Sequence, residues 1–258
     1  MLACFDVDGV LVEVSRSYYR ALAETVSYFI EAPVDSDLLL RLKFSLNLNN
    51  DWDATLAGIL FYRSGLGFED FVNRMASGPP DFRKIYARGA EAGIGLPEYS
   101  LLIDKFEALY RQFRPLEKLN ISPETLARIR SLARTMAVIT GRTREDLDYT
   151  FQKFSLYKFF DFIIAEDDLP SAETRKPAAY PLKLLLEKCG YSEPAFYLGD
   201  TLADGQMVEN FNREDCRKFL FILFRNAHNQ EVKADSYIDD ERELLQVVKD
   251  FTQSKEFI

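Results

Sequence analysis

The chain alternates short apolar runs with longer stretches in which apolar residues recur every three to four positions. Residues 1–5 read Met-Leu-Ala-Cys-Phe, and 136–139, 195–198 and 219–224 are similar runs of strand length. Runs of this kind are buried on both faces of a parallel sheet. They predict strands at 2–6, 135–139, 161–165, 195–199 and 219–224. Helical patterns lie between them. Ser122-Pro123-Glu124 supplies an N-cap, a proline at the first helical position and an acid in the first turn, opening a helix over 123–133. Thr143 and Asp146 have the spacing of a capping box. A Leu-rich helix over 181–188 ends near Gly190, and an amphipathic helix covers 241–251. Strands alternating with helices predict an α/β fold with a parallel sheet covered on both faces. Ligands of such sheets bind outside the carboxyl ends of the strands.

The first and second strands are about a hundred residues apart, far more than an ordinary connection. Apolar residues at helical spacing predict helices over 18–31, 38–44, 52–63, 68–75 and 101–113, with loops at 77–80 and 89–97. The expected organisation is a core domain of 1–15 and 115–258, interrupted by a helical domain of 16–114.

Composition and charge narrow the function classes. The formal net charge of −9 argues against a nucleic-acid partner, which needs a basic face. No apolar run approaches the ~18 residues of a membrane span. The acid at residue 6 ends the first apolar run too early for a signal peptide. Cys4, Cys189 and Cys216 are few, odd in number and widely spaced, as reduced thiols of a cytoplasmic protein would be. The lone His228 excludes a histidine-rich zinc site; it is expected in an exposed loop and is given no role.

The chemistry collects at the strand ends. The first strand runs into Asp6-Val7-Asp8-Gly9. Residues i and i+2 of a strand share a side, so two carboxylates meet at one mouth. That is unfavourable unless a cation or a substrate needs them. The second strand ends in Thr140-Gly141-Arg142, Lys176 precedes Pro177, and a later strand ends in Gly199-Asp200-Thr201-Leu202-Ala203-Asp204-Gly205. Singly, each has an ordinary reading. Lys176 reads as an exposed lysine, Thr140 as a β-branched strand end and Asp204 as an N-cap. Glu166-Asp167-Asp168 reads as a solvated acidic loop near the site.

Together, in this order, the four motifs resemble the phosphatase branch of the haloacid dehalogenase (HAD) superfamily, in the subfamily with a helical cap inserted after the first motif. The resemblance covers the first dozen residues and about the second half of the chain. It implies a Rossmann-like core with 16–114 as the cap. It implies Asp6 as nucleophile and Asp8 as the acid and base that protonates the leaving oxygen and then activates water. Thr140, Gly141 and Lys176 would hold the phosphoryl group. Asp6, the backbone carbonyl of Asp8, Asp200 and, through a water, Asp204 would hold Mg²⁺. The four acids against Lys176 leave a surplus of three negative charges. An oxygen-only donor set fits Mg²⁺ better than zinc.

The activity implied is hydrolysis of a small phosphorylated metabolite through an aspartyl-phosphate. A dehalogenase needs no acid at residue 8, and a receiver-type signalling module would lack the large insert. A phosphomutase shares all four motifs and stays open, as does a non-catalytic phosphate-binding relative. Gly93-Ile94-Gly95 lacks the third glycine of a dinucleotide fingerprint, and there is no phosphate-loop motif. Substrate choice falls to the helical insert, with Arg16, Asn49, Asn50 and Trp52 as candidates. The competing reading makes Asp51 an N-cap, Trp52 core and the asparagines a turn. The 49–52 segment is also similar to one in a branch associated with histidine-biosynthesis enzymes. Sugar phosphates, phosphoglycolate and histidinol phosphate stay open as substrates.

Overall fold

The computed structural model describes residues 1–75, 81–191 and 194–253. In chain order, β1 (Leu2–Phe5) and β2 (Val12–Glu13) precede α1 (Tyr18–Ile30), α2 (Ser36–Ser45), α3 (Asp51–Ser64), α4 (Phe68–Met75), α5 (Phe82–Glu91) and α6 (Tyr99–Phe113). Then come β3 (Lys118–Leu119), α7 (Pro123–Leu132), β4 (Thr135–Ile139), α8 (Arg144–Lys153), β5 (Phe162–Ile164) and α9 (Tyr180–Cys189). They are followed by β6 (Ala195–Gly199), α10 (Leu202–Glu214), β7 (Leu220–Phe224), β8 (Ser236–Ile238) and α11 (Glu241–Gln253). Two compact units result: Met1–Glu13 with the chain from Lys118 onward, and Val14–Glu117.

The first unit is a Rossmann-like α/β domain. Its six-stranded sheet has the order β5-β4-β1-β6-β7-β8, with every pairing parallel. β1 and β7 are apolar at every position, as strands covered on both faces are. Leu2, Cys4, Ala137, Ile139, Tyr197 and Leu223 pack on one side against Leu182 and Leu185 of α9 and Met207 and Phe211 of α10. The residues between them face the other way, as strand periodicity requires. There Phe5 meets Phe196 and Phe160 edge-on at 5.8 Å, and Phe196 stacks on Phe251 of α11 at 6.3 Å.

The helix signals act as expected in α7 and α8, where the Ser122 hydroxyl accepts from the Thr125 amide and Thr143 from that of Asp146. In α10 the N-cap is Thr201, and Asp204 sits three residues on, returning a bond to the cap's backbone. β8 and the antiparallel pair β2–β3, which joins Val12 to Leu119, are too short to show a periodicity.

The second unit is helical throughout its described residues. Leu22 and Val26 of α1, Leu56 and Ile59 of α3, and Phe106 of α6 are buried in it. Tyr18 stacks on Tyr110 with 4.0 Å between centroids. Helix α5 corrects the expected loop over 89–97. Gly89 is buried inside this helix, where a Cβ would come within 2.9 Å of Leu96, and the chain turns only at Gly93, with φ +67°. The loop expected at 77–80 lies outside the described residues. The start of α3 is also corrected. Asn50, not Asp51, is the N-cap, and its side-chain oxygen accepts from the amides of Trp52 and Asp53 at 2.9 and 3.0 Å. Asp51 is drawn instead into an ion pair with Lys43.

Candidate active site

Strand register assembles the site. Phe5 pairs with Val138 on one side and Leu198 on the other. Asp6 is the next residue along, and Thr140 and Asp200 lie one step beyond its level on the flanking strands. The carboxyl ends of β1, β4 and β6 thus deliver three motifs to one edge. Gly9 lets them close up. Its φ is +73°, and a Cβ there would lie 2.0 Å from a carboxylate oxygen of Asp200. Only glycine fits both constraints.

Asp6 and Asp204 share one buried cation. The Lys176 ammonium lies 3.0 Å from Asp6 Oδ1 and 2.8 Å from Asp204 Oδ1. Lys176 is therefore not the exposed lysine of its single-residue reading. Asp204 is fully buried. Its Oδ1 also accepts from the Tyr197 hydroxyl, and its Oδ2 accepts from the Thr201 hydroxyl at 2.6 Å and the Thr201 amide at 3.0 Å. Asp6 Oδ1 accepts from the Val7 amide at 2.7 Å. Among the described residues its Oδ2 accepts no hydrogen bond. Carboxylate oxygens of Asp6, Asp200 and Asp204 all lie within 4.8 Å of one another.

This crowding shifts the acids in opposite directions. Burial pushes Asp6 up to about 7; Lys176 opposes this, and Asp204 and Asp8 add to it. Burial also pushes Asp200 well up, helped by repulsion from Asp204, Asp6 and Asp8. For Asp204 burial is outweighed by Lys176 and the bonds from Thr201, which hold it below the ordinary aspartate range. Burial would lower Lys176, but Asp204 and Asp6 outweigh it and raise it.

A pH dependence of stability follows for the protein without metal. An acid whose folded value is raised contributes stability fully present below its unfolded value, lost as pH rises through the folded one. For Asp6 that window runs from about 4 to about 7, and Asp200 acts in the same sense. Asp204 acts oppositely, its contribution being lost as pH falls below the ordinary range. The thermal midpoint in chelator is therefore expected to be higher near pH 5.5 than at pH 8. A scan showing the reverse order would overturn this picture of repelling acids.

Asp8 is held by a residue to which the sequence reading gave no role. The Arg142 guanidinium, 1% exposed, reaches the Asp8 carboxylate with Nη2 to Oδ1 at 2.6 Å and Nε to Oδ1 at 3.0 Å. The site thus holds two cations against its four carboxylates, and the surplus is two negative charges rather than the three counted from sequence. Asn226 and Asn229 were also missed. Asn226 donates to Asp200 Oδ2 at 3.3 Å. Asn229 donates to the Asp200 carbonyl at 2.7 Å and the Phe224 carbonyl at 2.9 Å. Their one signal is position, directly after a predicted strand. His228 between them is half-buried rather than exposed.

Thr140 is buried and its hydroxyl accepts from the Arg142 amide at 3.1 Å. Gly141 is exposed. The 166–168 acids form an organised turn rather than a solvated loop. Glu166 pairs with Arg175, next to Lys176, while Asp168 pairs with Arg144 at 2.5 Å. Arg16, Asn49, Asn50 and Trp52 belong to the helical unit. Arg16 and Asn49 are exposed. Trp52 is half-buried, and its indole N–H donates to Glu107 at 2.9 Å.

The site is an acid cluster at the strand ends of a parallel α/β sheet with a buried lysine among the acids, and the comparisons with known proteins give its family. The model of the haloacid dehalogenase-like hydrolases matches residues 1–212, and the chain belongs to that family. Solved structures share the fold. Phosphatase Tt82 from Thermococcus thioreducens has a TM-score of 0.69 at 22% identity, over 96% of this chain and 99% of that one. A predicted phosphoglycolate phosphatase from Haemophilus somnus has 0.60 at 18%, over 95% and 96%. A HAD-superfamily hydrolase of subfamily IA from Geobacter sulfurreducens has 0.55 at 16%, over 96% and 95%. The chain is also 28% identical over 200 residues to an imidazoleglycerol-phosphate dehydratase from Phytophthora nicotianae, covering 77% of this chain but 39% of that protein. Among the described residues no helix is long and apolar enough to cross a membrane.

Proposed function

We propose that this protein is a Mg²⁺-dependent phosphatase that hydrolyses a small phosphorylated metabolite through an aspartyl-phosphate on Asp6. The observation that carries the reading is the nucleophile's setting. One oxygen of Asp6 is pinned by Lys176 and the Val7 amide; the other accepts no hydrogen bond among the described residues, which leaves its lone pairs for phosphorus.

The donor set suits a hard cation. Asp6 and Asp200 would hold Mg²⁺ together with the backbone carbonyl of Asp8. Asp204, both of whose oxygens are engaged, would act through water. The bound ion supplies positive charge to phosphoryl oxygens in a site whose carboxylates outnumber its cations. In the first step Asp6 Oδ2 forms a bond to phosphorus, the ester bond breaks, and the leaving oxygen takes a proton from Asp8. In the second, Asp8 takes a proton from water, the water oxygen bonds to phosphorus, and the Asp6 carboxylate is released with inorganic phosphate. Thr140, whose hydroxyl oxygen is occupied by the Arg142 amide, has its proton to donate to a phosphoryl oxygen, and Lys176 offsets charge.

Selectivity is assigned to the helical unit acting as a cap, with Arg16, Asn49, Asn50 and Trp52 as the residues to vary. Free Cys4, Cys189 and Cys216 fit a reducing, cytoplasmic setting. The test is phosphate release with and without Mg²⁺. The panel should hold sugar phosphates, phosphoglycolate, histidinol phosphate and, because a relative's name contains it, imidazoleglycerol phosphate. Turnover of at least one member, abolished by chelation and restored by Mg²⁺, is expected. Full activity after exhaustive chelation would overturn the metal assignment. Isomerisation of a sugar phosphate without phosphate release would make the protein a mutase.

A further inference from the structure

We infer that Arg142 is the positioning residue for Asp8. The inference rests on the proposed acid–base role of Asp8 and adds the group that aims it. The Asp8 side chain is 34% exposed, whereas that of Arg142 is 1% exposed. A carboxylate so placed, on a loop beside a glycine, is less closely confined than the arginine it meets. The guanidinium adds a directional restraint to whatever packing the carboxylate has. Nη2 lies 2.6 Å from Oδ1, and Nε lies 3.0 Å from Oδ1 and 3.2 Å from Oδ2. A planar fork across both oxygens fixes the carboxylate's plane as well as its position.

Arg142 is itself held at every polar end. Its Nη1 donates to the Thr150 hydroxyl on α8. Its amide donates to the Thr140 hydroxyl at 3.1 Å, and its carbonyl accepts from the Glu166 amide at 2.9 Å. The chain thus runs from a rigid helix through a buried guanidinium to a partly open carboxylate. One residue touches both a phosphoryl-binding candidate through its amide and the acid–base candidate through its side chain. Its place within the site therefore couples the aim of Asp8 to Thr140, the residue proposed to hold the phosphoryl group. An arginine serving only to neutralise charge would not need two guanidinium nitrogens on one carboxylate.

A positioned acid matters only when the leaving oxygen needs a proton. The experiment is therefore a series of aryl phosphates with Mg²⁺: 2,4-dinitrophenyl, 4-nitrophenyl and phenyl phosphate. kcat/KM is plotted against the basicity of the leaving phenol. General acid catalysis contributes about 10²–10⁴-fold, and misaiming the acid forfeits part of it. Arg142→Ala is expected to lower kcat/KM for phenyl phosphate by at least about 30-fold and for 2,4-dinitrophenyl phosphate by less than about 3-fold. Asp8→Asn should steepen the plot in the same way. The double variant should be no worse than Asp8→Asn, because the two residues act as a unit. If Arg142→Ala does not fold by circular dichroism, Arg142→Lys carries the test, since it keeps the charge and loses the fork. An equal loss for all three esters, or none, while Asp8→Asn steepens the plot, would overturn the inference about Arg142. A flat plot for Asp8→Asn would instead overturn the acid role of Asp8.

Discussion

Asp6→Asn is expected to abolish turnover while leaving the fold intact or slightly stabilised. The amide keeps the shape of the carboxylate but cannot form the acyl-phosphate bond, so covalent catalysis is lost. A fall of more than about 10³-fold in kcat is the expected scale for removing a nucleophile. The stability expectation comes from the electrostatics. Asp6 is buried among carboxylates, and burial with repulsion from Asp204 and Asp8 pushes its acidity down. Removing its charge therefore relieves the metal-free fold, and Lys176 keeps Asp204 as its partner at 2.8 Å. The checks are phosphate release on the best panel substrate and a thermal midpoint in chelator. A variant that turns over at the wild-type rate would sink the nucleophile assignment. One that loses activity only by unfolding would leave a structural role as the better account.

Lys176→Met should cost more stability than any exposed charge deletion in the chain. Lys176 is the cation between Asp6 and Asp204, and its side chain is only 5% exposed. Removing one member of a buried ion pair leaves charge uncompensated in a poorly solvated place, typically at about 3–5 kcal/mol. Here two carboxylates lose their partner at once, and the site's other cation, the Arg142 guanidinium, is occupied by Asp8. The loss should be largest at neutral pH in chelator. It should shrink near pH 5, where Asp6 takes a proton, and on adding Mg²⁺. Lys183, paired with Glu214 at 2.6 Å and half-exposed, is the control. Lys183→Ala is expected to cost only about 0–1 kcal/mol, as surface pairs do. Urea unfolding of the two variants in parallel decides the matter. Equal losses would show that Lys176 is not holding the two acids together. Activity should fall in Lys176→Met even under conditions that restore the fold, because the charge proposed to offset the phosphoryl group has gone.

The sequence by itself determined the class of the core and the residue types at its chemical edge. Apolar runs of strand length mark β1, β4, β6 and β7, because a strand covered on both faces must be apolar at every position. Capping chemistry is equally local, so Ser122-Pro123 and Thr143 mark the starts of α7 and α8. Once the strands are placed, Asp6, Asp8, Thr140 and Asp200 fall at their carboxyl ends, where such sheets bind ligands. What only the tertiary structure decided is which charges pair. Arg142 meets Asp8 across 134 positions of sequence, and Asn229 meets Asp200 across 29. No local periodicity encodes such contacts; they follow from strand register. Lys176 looks like an ordinary surface lysine until the fold buries it between two acids. The same holds for competing local signals. Asn50 and Asp51 are both good N-caps, and the choice between them fell to Lys43, which draws Asp51 away. Sequence supplied the groups and the edge they occupy, while packing set their partners, because the energy of a buried charge depends on neighbours that only the folded chain brings close.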